Sequence, residues 1–172
     1  MLDKFKEFLS RQITVEIKHP MTIVALLEGD YKAPANNRTY TLMENLARMG
    51  GDQVVIICLH QGGESGAAAR VKPFNNFTVA KIGLDVRSLF QGRIIMWTDS
   101  SRYADTLRSA HPNLIVYDDR EDRQEEDMYD LADIVLRYDV DQADNYIPAN
   151  AAGAGKVIRI IQNTPSRKPP RQ

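Results

Sequence analysis

The chain has 172 residues, 43% of them hydrophobic and 26% charged, with a formal net charge of -1. This profile fits one globular domain able to bury a core, and it excludes the strongly basic face of a nucleic-acid binder. The single cysteine, Cys58, rules out an internal disulfide framework and fits a reducing, cytoplasmic compartment.

Residues 1–11 place Leu2, Phe5 and Leu9 at helical spacing between charged residues. Charge throughout this stretch excludes a secretory signal. It reads as an amphipathic helix that docks on the domain, with contact to a membrane surface or a protein partner as the sharper alternative. Residues 14–18 alternate and predict a short extended segment before Pro20. No apolar run approaches the ~18 residues of a membrane-spanning helix.

Residues 21–27 are continuously apolar, as in a strand buried on both faces. Gly29, Asp30, Pro34, Asn36 and Asn37 then mark a loop, and Asn36 or Asn37 is a natural helix N-cap. Tyr40, Leu42, Met43, Leu46 and Met49 recur with helical period until Gly50-Gly51. With a strand at 53–59, this makes a right-handed βαβ unit. The loop carries neither Gly-x-Gly-x-x-Gly nor a P-loop, so no cofactor is indicated. Its feed into a helix N-terminus still offers free N–H groups to a phosphate.

Cys58 lies inside the second apolar run and reads as a small buried hydrophobe. His60 closes that run and is an acid–base candidate by position alone. The Gly- and Ala-rich stretch 60–70 reads as an exposed loop. Residues 77–82 alternate, which suggests a strand near an edge, and 92–98 predict a buried one. Asp99 or Ser100 caps a helix over 101–110, striped by Tyr103, Leu107 and Ala110. Strand 114–117 then runs into Asp118-Asp119. An acidic helix over 123–130, a strand at 132–136, a helix over 142–151 and a last strand at 156–161 follow. Pro165, Pro169 and Pro170 prevent either element from continuing through 163–172, which is a tail or linker.

The pattern predicts an α/β fold: a doubly wound, mostly parallel sheet of Rossmann-like topology with helices on both faces. The organisation is an N-terminal segment (1–20), the α/β domain (21–162) and the tail (163–172). Ligands of such sheets bind beyond the carboxyl ends of the strands, where Asp118 stands. Three histidines and one cysteine are scattered, without zinc spacing. Asp118, Asp119 and Asp122 around Mg²⁺ form a competing reading, although adjacent strand residues point to opposite faces. Much of the charge in 118–130 suits a solvated helix face and its dipole.

Several stretches line up with one group of proteins. After the strand, Gly-containing loop and helix of 23–49 and the strand and helix of 94–110 come Ile115-Val-Tyr-Asp-Asp-Arg-Glu-Asp122 and a helix bearing Glu125 and Glu126. Leu131-Ala-Asp-Ile-Val-Leu136 and Lys156-Val-Ile-Arg-Ile-Ile-Gln-Asn-Thr-Pro165 complete the series. This order resembles the N-terminal, acceptor-side domain of GT-B-fold glycosyltransferases. Gln162 and Thr164 depart from the Pro and Gly of the family pattern. The resemblance implies a sugar acceptor as partner, and a nucleotide sugar held by a donor-binding domain that these residues do not include. It places Gly29, Asp30 and Asn37 on the acceptor and donor-phosphate loop, Asp118 and His60 among the catalytic groups, and Asp99 and Asp122 along the cleft. It implies no metal and no cofactor, and no transfer by this chain alone. The alternative is a non-catalytic Rossmann-like interaction module.

Overall fold

A computed structural model of the chain describes residues 16–28, 37–61, 68–119, 125–137 and 147–167. Among them seven strands form one sheet: β1 Met21–Leu27, β2 Val54–His60, β3 Ala69–Arg70, β4 Phe77–Lys81, β5 Arg93–Thr98, β6 Leu114–Asp119 and β7 Ile134–Arg137. Their spatial order is β3-β4-β2-β1-β5-β6-β7. All pairs are parallel except the short edge pair β3–β4. Counted in chain order, the six parallel strands therefore run third, second, first, fourth, fifth, sixth. That is the order of a Rossmann-like doubly wound sheet, and the predicted fold class holds.

β1 is buried at every position, because helices or connections cover both faces of the central strands. Met21, Ile23, Ala25 and Leu27 face one layer, while Val24 and Leu26 face the other. The first layer is closed by α1 (Asn37–Gly50) and α4 (Ala151–Asn163). Leu42, Met43 and Leu46 on α1, with Val157, Ile158 and Ile161 on α4, are buried there. The second layer holds α2 (Ala104–Ala110) and α3 (Glu126–Leu131), anchored by Leu107 and Met128. Each such buried side chain contributes roughly 1.5–3 kcal/mol of transfer free energy.

Two expectations are corrected. Residues 156–161, taken as a last strand, lie inside α4, and 147–150, taken as the end of a helix, precede it without helical structure. The run Val157-Ile-Arg-Ile-Ile161 is rich in β-branched residues, yet its apolar positions also satisfy helical spacing. Local chemistry decides: the Asn150 side chain accepts a hydrogen bond from Gly153 N at 2.9 Å and caps the helix. The sheet gains instead the two-residue β3, within a stretch expected to be loop.

Smaller differences follow from caps and partners. The helix expected over 101–110 begins as a single 3-10 turn, Ser101–Tyr103, before α2. Strand β6 extends through Asp118 and Asp119, because β7 supplies partners as far as Arg137. Residues 16–20 are not in a strand. Asp133 has a structural job, its carboxylate accepting from Ile115 N at 2.8 Å. Residues 164–167 fold back, with Arg167 N donating to Asn113 O at 2.8 Å. Among the described residues, no helix is long and apolar enough to cross a membrane. The N-terminal helix expected over 1–11 lies outside them.

Candidate functional site

The winding of the sheet reverses between β1 and β5: strands are added outward on one side from β1 and on the other side from β5. After β1 the chain passes to α1 on one face, and after β5 it passes to α2 on the other. Loops that diverge in this way leave a crevice beyond the strand ends. Its floor is cross-braced. Ser100 Oγ donates to Glu28 Oε1 at 2.7 Å, and Tyr103 Oη donates to Leu27 O at 3.0 Å. Thr98 Oγ1 donates to Leu26 O at 3.1 Å and accepts from Ser100 N at 3.1 Å. Ser100 Oγ also accepts from Arg102 N at 3.2 Å, so Ser100 is the helix cap that was one of two candidates. Burial, and secondarily the Glu28 carboxylate, push the Tyr103 phenol above its ordinary value.

The register puts the strand-end residues in one row. Leu27 pairs with His60, His60 with Lys81, and Asp118 with Leu136. Thr98 pairs with Leu26 and Tyr117, so Asp99, one residue on, continues the row between Leu27 and Asp118. Strand alternation then turns Leu27, His60 and Asp118 toward the layer of α1. His60 and Asp118 are separated by three strand spacings, about 14 Å. They are not in direct contact, and they flank the crevice from opposite sides.

Asp118 is 1% exposed, and its Oδ1 lies 3.9 Å from Arg38 Nη2, in the first turn of α1. Asp119 points the other way and accepts a short hydrogen bond from the Tyr129 hydroxyl on α3. Tyr117 shares that second face. Its hydroxyl donates to Glu125 Oε2 at 3.3 Å, and its ring meets Tyr129 edge-on with centroids 6.0 Å apart. Burial first, and then the Asp119 and Glu125 carboxylates, push the Tyr117 phenol far up. The two adjacent aspartates thus serve opposite faces. A Mg²⁺ held jointly by them is incompatible with this geometry, and no metal-type cluster occurs among the described residues.

Of the other residues expected at the site, Asn37 opens α1 and Asp99 is half-buried beyond β5. Gly29, Asp30 and Asp122 lie outside the described residues. Sequence reasoning missed Arg38 and Glu28, and read Ser100 only as a candidate helix cap. Arg38 had one available signal, a cation in the first helical turn, where the helix dipole favours an anion. Such a residue is worth checking for a carboxylate partner elsewhere. Comparison with family models, curated proteins and solved structures found no match.

Proposed function

We propose that the chain is the acceptor-side half of a GT-B-type glycosyltransferase, its crevice binding a hydroxyl-rich sugar acceptor. The observation that carries this reading is the Arg38–Asp118 pair. A carboxylate 1% exposed and a guanidinium 21% exposed meet 3.9 Å apart at the sheet's carboxyl edge. Carboxylates and guanidinium groups held in a partly dry crevice make strong, charge-assisted hydrogen bonds to hydroxyls and phosphates. Asp118 is the candidate base or orienting group on one side and His60 the acid–base candidate on the other. A helix N-terminus such as that of α1 suits a donor phosphate. Transfer itself rests on a donor-binding domain acting with this one, and no metal or cofactor is required. A cytoplasmic location goes with this reading.

The test is chemical-shift mapping with a panel of mono- and disaccharides and their phosphates. Expected are shifts confined to Glu28, Arg38, His60, Asp99 and Asp118, lost in a folded Asp118→Asn variant. No saccharide response at this edge, or responses that survive the substitution, would overturn the reading. One observation favours a second reading, a non-catalytic Rossmann-like module. Residues 156–161, within the stretch that the resemblance aligns with the family's segment leading into the second domain, lie in helix α4 against the core. A protein ligand that shifts these same residues in the absence of any sugar response would support it.

A further inference from the structure

The connection from β4 to β5 must pass over β2 and β1. Parallel crossovers of this kind usually carry a helix that covers the sheet. Here residues 82–92 make it with a single 3-10 turn, Arg87–Leu89, and an apolar groove of about 450 Å³ is left beside it on the face opposite α1. Leu59 on β2, Val24 on β1, and Ile94 and Met96 on β5 form the floor. Val86 and Phe90 form one wall, and Ala110 at the end of α2 bounds the other side. The connection is pinned at both ends, by Ile82 N donating to His60 O at 2.9 Å and by Gln91 N donating to Thr22 Oγ1 at 2.8 Å. Between them Leu89 N donates to Val86 O at 3.0 Å and Phe90 N to Arg87 O at 3.1 Å. A wall tied in this way resists folding down into the gap, so the groove is preformed, as small-molecule sites usually are.

We infer that this groove binds a neutral, flat aromatic molecule of about three rings. Size comes first: an apolar cavity of about 150 Å³ takes up one benzene, and this groove has roughly three times that volume. Width then decides against a protein element. The floor spans the adjacent strands β2, β1 and β5, two strand spacings or about 10 Å, and the walls take up part of that. A partner helix is about 10–12 Å across with its side chains and does not fit between them, whereas a flat ring system does. The Phe90 ring and the Met96 thioether favour an aromatic ligand over a plain alkyl chain. On the rim, Asp85 and Arg87 satisfy each other, Arg87 Nε donating to Asp85 Oδ1 at 2.9 Å and Nη2 to Oδ2 at 2.7 Å. That mutual pairing leaves the mouth without an unmatched charge, so a charged ligand would lose hydration and gain no counter-ion. Leu84, 38% exposed on the same rim, extends the apolar surface around the mouth.

The inference stands on the groove and not on sugar transfer. The full chain is titrated with N-phenyl-1-naphthylamine, a neutral probe of this size that fluoresces in apolar surroundings, and with its sulfonated analogue, which adds a negative charge to the same rings. Expected is saturable binding of one neutral probe per chain, with the sulfonated analogue bound roughly tenfold or more weakly. Ala110→Trp, at an exposed helix end, fills the groove and should weaken the neutral probe roughly tenfold or more. Leu84→Asp puts a charge on the rim and should act in the same direction. Leu89→Asp is the control: at 37% Leu89 is as exposed as Leu84, yet it does not line the groove, and binding should be unchanged. Circular dichroism establishes that each variant is folded, and either groove variant decides alone should the other not fold. Absence of saturable binding, equal affinity for the two probes, or a loss in Leu89→Asp as large as in the groove variants would each overturn the inference.

Discussion

Arg38 and Asp118 meet with unequal access to water, and that inequality predicts how each tolerates loss of the other. Arg38 can rehydrate, while Asp118 at 1% exposure cannot. Removing one partner of a buried pair is costly because of the charge left behind. Arg38→Met should therefore cost about 3 kcal/mol, and Asp118→Asn, which keeps the shape and removes the buried charge, about 1 kcal/mol. Urea denaturation of the two variants checks the order. Tyr117 makes a second prediction, in pH. Its phenol is raised in the folded state by burial and by Asp119 and Glu125, so the unfolded chain ionises first, near pH 10. Stability should be unaffected by this group below that pH and should fall as pH rises above it. Tyr117→Phe should flatten the decline, measured as urea midpoints at pH 9 and 11.

At the scale of elements, the instructive case is α4. A β-branched run reads as a strand when taken alone, but the helix start is determined two turns earlier. Asn150 caps the first turn, and Gly153 passes so close to the Pro148 carbonyl that a Cβ would run into its oxygen. Asn150→Ala should cost about 1 kcal/mol for the lost cap, and Gly153→Ala about 2–3 kcal/mol for the backbone clash. Thermal melts followed by circular dichroism test both. Gly92 shows the same logic between strands. Its φ of +60° and its contact with the Pro20 carbonyl let the β4–β5 connection enter β5 beside β1. A residue with a Cβ there meets both strain and collision.

For the molecule as a whole, the sheet is a partition between two cores. α1 and α4 close one, and α2 and α3 close the other. Leu46→Ala on the first side and Leu107→Ala on the second, both fully buried, should each cost about 2–5 kcal/mol. Their effects should add, because the sites share no partners and lie on opposite faces of the sheet. A single cooperative transition, shifted by both substitutions and read by circular dichroism and fluorescence together, is the expected signature of one folding unit. Separate transitions for the two layers would contradict it.

The fold class was legible in the sequence because buried parallel strands are continuous apolar runs, and these alternate here with one clear amphipathic helix, residues 40–49. Asp118, His60 and Asp99 could be placed near strand ends for the same reason, although β6 runs on past its apolar stretch through Asp118 and Asp119. Their common row is a property of register, and register is set between chains of atoms far apart in sequence. The order of the strands, and with it the crevice between β1 and β5, likewise came only from tertiary structure. So did the divergence of Asp118 toward Arg38 and of Asp119 toward Tyr129: the alternation is local, but the partner waiting on each face is not. Periodicity records which way a side chain faces, and only packing decides what it meets.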